Sequence, residues 1–131
     1  MLALAGLVSA LALAGPAQRP PFEFFRMPSG NIGCVFVARG ASLRCYILSG
    51  LRPEPRGRCE LDWTGLNIAA TGRARPTCAG DTAVDRRAAV LRYGRTWRRG
   101  GVRCLSRTIG LRCSNRSGHG FFLARQRWSL F

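Results

Sequence analysis

At 131 residues the chain has room for one domain, and 21 arginines against six acids give it a formal net charge of +15. Lysine is absent and His119 is the only histidine, which excludes a His-rich metal site or a two-histidine acid–base pair. Neither G-x-S-x-G nor H-E-x-x-H occurs, so two common hydrolase signatures are missing as well.

Met1 to Ala14 is apolar and uncharged, too short to span a bilayer as a helix of roughly 20 residues. It reads as the h-region of a secretory signal with an Ala12-Leu13-Ala14 cleavage site; a cut after Ala17 is the alternative. No Lys or Arg precedes the run, so either the natural start lies upstream of Met1 or the signal is atypical. A buried N-terminal helix is the competing assignment. No Cys follows the cleavage region, which argues against a bacterial lipid anchor. After cleavage no transmembrane span is expected, and the localisation is secreted or periplasmic. Residues 15–28, carrying Pro16, Pro20, Pro21 and Pro28, read as a linker in which Phe22-Glu23-Phe24 can form a short strand. Residues 29–131 are expected to form one disulfide-stapled domain.

Six cysteines behind an export signal point to disulfides in an oxidising compartment. Successive cysteines are separated by 10, 13, 18, 25 and 8 residues. Zinc sites place ligands in C-x₂₋₄-C pairs, so no metal and no cofactor is expected. After the Pro28-Ser29-Gly30-Asn31 turn signal, Ile32, Cys34 and Phe36 alternate along one strand. Leu43, Cys45 and Ile47 alternate along the next, with Arg39-Gly40 at the turn. Hairpin pairing sets Cys34 across from Cys45. The pattern recurs: Val102-Arg103-Cys104-Leu105 and Leu111-Arg112-Cys113-Ser114 flank a turn region containing Gly110, which sets Cys104 across from Cys113. Cys59–Cys78 follows by elimination from 15 possible connectivities.

Between the hairpins, Leu51–Arg58 is a Pro-rich loop. Residues 59–63 and 66–69 read as two short strands around Thr64-Gly65, and Ala74–Cys78 leads to a turn at Gly80-Asp81. Thr82–Tyr93 suits a helix or a strand, with strand preferred. Gly120–Phe131 reads as one final buried strand. The expected fold is mainly β, a small antiparallel sandwich or barrel.

Three segments, Phe25–Cys34 (FRMPSGNIGC), Cys78–Thr82 (CAGDT) and Gly118–Arg125 (GHGFFLAR), resemble a family of small secreted bacterial domains of unknown function, known mainly from actinobacteria and proteobacteria. The resemblance spans nearly all of residues 24–131. It implies export and a Cys-stapled β domain, and no reaction, substrate or catalytic residue.

The charge points to partners. After Asp85 there are 12 arginines and no acid. Arg103, Arg107, Arg112 and Arg116 fall on or beside the second hairpin, and Arg125 and Arg127 on the last segment. On strands, Arg103 shares a face with Arg107, and Arg125 with Arg127; Trp97 and Trp128 are interleaved as stacking platforms. Arginine forks match phosphate, so the expected function is a non-catalytic envelope or extracellular module binding anionic polymers such as lipopolysaccharide, teichoic acid or nucleic acid. Two alternatives stand beside it. One is a small hydrolase with glycine-flanked His119 and either Glu60 or Asp62 as acid and base. The other is an inhibitor or protein-binding module on the same scaffold.

Overall fold

The computed structural model describes residues 3–11, 18–82 and 84–131. Two sheets pack face to face, a sandwich built from two successive meanders. The first sheet takes β1 (Phe22–Arg26), β2 (Ile32–Val37), β3 (Ser42–Ile47), β4 (Asp62–Ala69), β5 (Arg75–Ala79) and β6 (Ala89–Val90). The second takes β7 (Thr96–Arg99), β8 (Val102–Arg107), β9 (Gly110–Asn115), β10 (Gly120–Leu123) and β11 (Trp128–Leu130). Their spatial orders are β5-β4-β3-β2-β1-β6 and β11-β10-β9-β8-β7. Every pairing is antiparallel except β1 with β6.

Alternation decides what each sheet buries. Phe25, Ile32, Cys34, Phe36, Leu43, Cys45, Ile47, Leu66 and Ile68 turn inward from the first sheet. Val102, Cys104, Leu111, Cys113, Phe121 and Leu123 meet them from the second. Cys34 lies opposite Cys45 and Cys104 opposite Cys113, and both pairs are bonded at the centre of the core. The third bond, Cys59–Cys78, ties the loop before β4 to the edge strand β5. The pairing predicted from the two hairpins is the one present.

Four sequence expectations are corrected. The linker over 15–28 gives way to structure from Pro20 onward, since Pro20 and Pro21 carbonyls accept from Arg99 Nη2 (2.7 Å) and the Ala38 amide (2.9 Å) and β1 starts at Phe22. The two short strands around Thr64-Gly65 are one strand, β4, whose register shifts between Trp63 and Gly65. That bulge is glycine-specific: a Cβ at Gly65 would stand 1.8 Å from the Cys45 carbonyl oxygen. The final strand is a hairpin, β10 and β11, closed where the Ala124 amide donates to the Arg127 carbonyl. The segment Thr82–Tyr93 forms no helix in its described residues; only Ala89–Val90 is strand.

The described residues between β5 and β6, with Val84 among them, instead strap the outer face of the first sheet, carrying the chain from one edge to the other. Five strand spacings amount to about 24 Å, within reach of nine extended residues. The strap passes over Gly33, where a Cβ would stand 2.9 Å from Val84 Cγ1. It is anchored at its far end by Arg26 Nε donating to the Ala88 carbonyl (3.2 Å) and the Leu91 amide donating to the Arg26 carbonyl (2.8 Å).

Residues 3–11 form no regular secondary structure, and Leu4, Leu7, Val8 and Leu11 are fully exposed, so no buried helix forms there. Both cleavage positions expected from the sequence, after Ala14 and after Ala17, lie outside the described residues.

A charged cluster crosses the seam between the sheets at Glu23. Glu23 on β1 accepts a hydrogen bond from the Trp97 indole on β7 (2.6 Å) and lies 3.8 Å from Arg99 Nη1. Arg19 completes the cluster at 3.1 Å. The Arg99 side chain is largely buried over the Phe36 ring and its Nη1 has no hydrogen-bond partner, so Glu23 is its only counter-charge among the described residues. Glu23→Ala is expected to lose about 3 kcal/mol of stability, because it strands a buried guanidinium, and Glu23→Gln about 1 kcal/mol. Urea unfolding midpoints at unchanged m-value check this, and equal losses would show the charge to be irrelevant.

Candidate functional site

Because neighbours on a strand face opposite sides, the alternation that buries Val102, Cys104 and Ser106 pushes Arg103, Leu105 and Arg107 outward on β8. Register then builds the outer face of the second sheet. Arg98 of β7 lies beside Arg103, and Arg112 of β9 lies beside Leu105. Phe122 of β10 follows Arg112 across the sheet. Arg103 and Arg107 stand four residues apart, about 13 Å, with Arg112 one strand away between them.

Two layered stacks fix part of this surface. The Phe131 ring lies on Gly120, where a Cβ would meet it at 2.5 Å, and Arg112 stacks above the ring with its guanidinium carbon 3.9 Å from the centroid. The Phe122 ring lies on Gly110 in the same way, at 2.6 Å, under Arg127 at 4.4 Å. Gly110 has φ +149°, which only glycine adopts readily. A stacked guanidinium offers its flat face to the ring and keeps its in-plane N–H donors for an anion. Among the described residues, no carboxylate lies within ion-pair distance of Arg98, Arg103, Arg107, Arg112, Arg116, Arg125 or Arg127.

The sequence-predicted residues divide accordingly. Arg103, Arg107, Arg112 and Arg127 come together on this face. Arg116 lies beyond β9, across Gly101, where a Cβ would stand 2.7 Å from its Nε. Arg125 and Arg127 are not strand neighbours; both belong to the turn between β10 and β11. Trp97 and Trp128 point the other way, packing on the core, with their indoles donating to Glu23 and to the Pro53 carbonyl (2.6 Å each). The aromatic groups beside the arginines are Phe122 and Phe131. Sequence reasoning missed both, and Arg98; Phe122 meets Arg112 through the β9–β10 register, which the alternation within one strand does not carry.

His119 is half-buried in a recess of about 290 Å³ with Arg73, Ala74, Leu130 and Phe131, and no carboxylate lines it. Its amide donates to Asn115 Oδ1 (3.1 Å), and Asn115 Nδ2 donates to the Ala69 carbonyl (3.0 Å), which places His119 at the end of β4. Asp62 opens that strand seven residues earlier, about 20 Å away. Glu60 precedes β4 and pairs with exposed Arg58 at 3.5 Å, so it shares no strand face with Asp62. The fold therefore brings neither carboxylate within hydrogen-bond reach of His119.

A family model described as "Family of unknown function (DUF6636)" matches residues 3–131. The chain belongs to that family. No curated protein and no solved structure matches it.

Asn115 holds the loop of this DUF6636 domain that carries His119. Its side chain accepts from the Ser117 and His119 amides and donates to the Ala69 and Gly72 carbonyls, joining the two sheets. Asn115→Ala is expected to destabilise the fold by about 2 kcal/mol. It should also speed hydrogen exchange at the Ser117 and His119 amides; exchange as slow as in the parent chain would show that the loop does not depend on it.

Proposed function

We propose that this chain is an exported, non-catalytic module that binds phosphate-bearing anionic polymers of the cell envelope or exterior through the outer face of its second sheet. The carrying observation is the pair of stacked guanidiniums, Arg112 on Phe131 and Arg127 on Phe122, set among Arg98, Arg103 and Arg107 with no carboxylate alongside. Stacking restricts the side chains before a ligand arrives, which lowers the entropy lost on binding. Three disulfides support an oxidising compartment, and the Met1–Ala14 segment supports export. Among the described residues, no helix is long and apolar enough to cross a membrane.

The polyanion's charge governs the expected behaviour. Binding of fluorescent lipopolysaccharide or duplex DNA, followed by anisotropy, should weaken linearly in log–log form as salt rises. For DNA, the variant Arg103→Gln/Arg107→Gln/Arg112→Gln should lower that slope by about 3, near one unit per lost phosphate contact. The three positions are exposed, and the relief of like-charge repulsion offsets the lost Arg112–Phe131 stack, so the unfolding midpoint should change little. A salt-independent affinity, or an unchanged slope in the variant, would sink the reading.

A further inference from the structure

A recess of about 430 Å³ opens where three remote segments meet: the Pro28–Asn31 turn between β1 and β2, the strap at Val84 and Arg86, and the β10–β11 turn at Arg125. Its charged lining is Arg26, Arg86 and Arg125, and it has no carboxylate. None of the three arginines lies within ion-pair distance of an acid among the described residues. Asp85, next in sequence to Arg86, turns instead to its own chain and accepts from the Arg87 amide (2.9 Å).

The donors in the recess are partly set in place. Arg26 is half-buried, and its Nε is held by the Ala88 carbonyl, while its two terminal nitrogens have no protein partner among the described residues. Asn31 is occupied on both side-chain atoms by Ser49, donating to its hydroxyl and accepting from its amide, so it shapes the turn. Ser29 Oγ accepts from the Asn31 amide (3.3 Å), and its own O–H remains available as a donor. Three arginines, from β1, the strap and the β10–β11 turn, and the hydroxyl-bearing Ser29 line a space with no acidic side chain. Like charges gathered this way repel one another, and a bound anion relieves that repulsion. Three bidentate guanidinium pairings need about six acceptor sites, more than the roughly four of a carboxylate and within reach of a tetrahedral oxyanion.

We propose that this recess binds a single phosphate group, as free phosphate or as a phosphomonoester, at a site separate from the extended arginine face. Arg125, Ser29 and Asn31 also line a neighbouring recess with Arg107. A phosphate held there therefore sits at the rim of the face assigned to polymers. The site stands without that assignment, because Arg26, Arg86 and Arg125 are not among the arginines of the outer face, and the Pro28–Asn31 turn belongs to the first sheet.

The test is a ¹⁵N amide and arginine side-chain titration of the disulfide-bonded chain with inorganic phosphate, at ionic strength held constant with chloride. Saturable shifts at Ser29, Gly30, Asn31, Arg86 and Arg125 are expected. Arg86→Gln/Arg125→Gln, both exposed positions, should weaken binding by about tenfold or more, while the Arg103/Arg107/Arg112 triple variant should stay within about twofold. Tighter binding of a sugar phosphomonoester than of inorganic phosphate would assign the site to a polymer end group, and the reverse to the free ion. Shifts that never saturate, that spread over all the arginines, or that persist unchanged in Arg86→Gln/Arg125→Gln would overturn the proposal. Loss of polymer binding in the triple variant with phosphate binding intact, or the opposite pattern, separates the two sites.

Discussion

Register is the constraint on which the molecule depends. A strand pair slipped by one residue turns its apolar set to solvent, and each sheet here carries a covalent lock against that slip at its centre. Cys34–Cys45 fixes β2 against β3, and Cys104–Cys113 fixes β8 against β9. With those registers set, Phe36 and Leu43 must turn inward from one sheet, and Val102 and Leu111 from the other. The same locks force Arg103, Arg107 and Arg112 outward. Core and cationic face are two consequences of one pairing.

Charge is divided between the sheets for a reason that follows from this geometry. All six acids lie at or before Asp85, in the first sheet, its loops and its strap, while residues 86–131 hold 12 arginines. Glu23 is the acid that reaches across, and it is bound into the seam by Trp97 and Arg99. The outer face of the second sheet is thus left with repulsion and no internal partner. Cross-linked hairpins tolerate such a surface better than free ones, because the bonds restrict the unfolded chain and so offset part of the repulsion.

Much of the fold was legible where one physical rule acted alone. Period-two alternation with cysteines on the inward positions gave both central hairpins and, with them, all three disulfides. The misreadings occurred where a local signal had two causes. Thr64-Gly65 looks like a turn, yet the glycine is there because β4 bulges against the Cys45 carbonyl. Ala124–Arg127 turns without proline or glycine, so β10 and β11 merged into one strand. Thr82–Tyr93 suits a helix or a strand in sequence, yet its strap packs through isolated contacts such as Val84 on Gly33, which neither period describes. In the candidate site, the arginines were visible from charge alone, but the aromatic partners were not. Trp97 and Trp128 are sequence neighbours of Arg98 and Arg127, and adjacency on or beside a strand tends to place two side chains on opposite faces. The rings that do meet arginines, Phe122 and Phe131, come from another strand and from beyond the last one, and only the register between them reveals it.

The absence of lysine takes on different meanings at different positions. A nucleotide bias toward arginine codons would account for arginine at Arg56 or Arg73, exposed positions without a hydrogen bond or ion pair among the described residues. It does not account for Arg112 and Arg127. There the flat guanidinium covers an aromatic ring that is itself laid on a glycine, and an ammonium group on a flexible stem could not cover that ring or keep donors in a plane above it. Arg99 belongs with them, buried over Phe36 while donating to the Pro20 carbonyl. Composition can supply an arginine; the layers of glycine, phenylalanine and guanidinium need one.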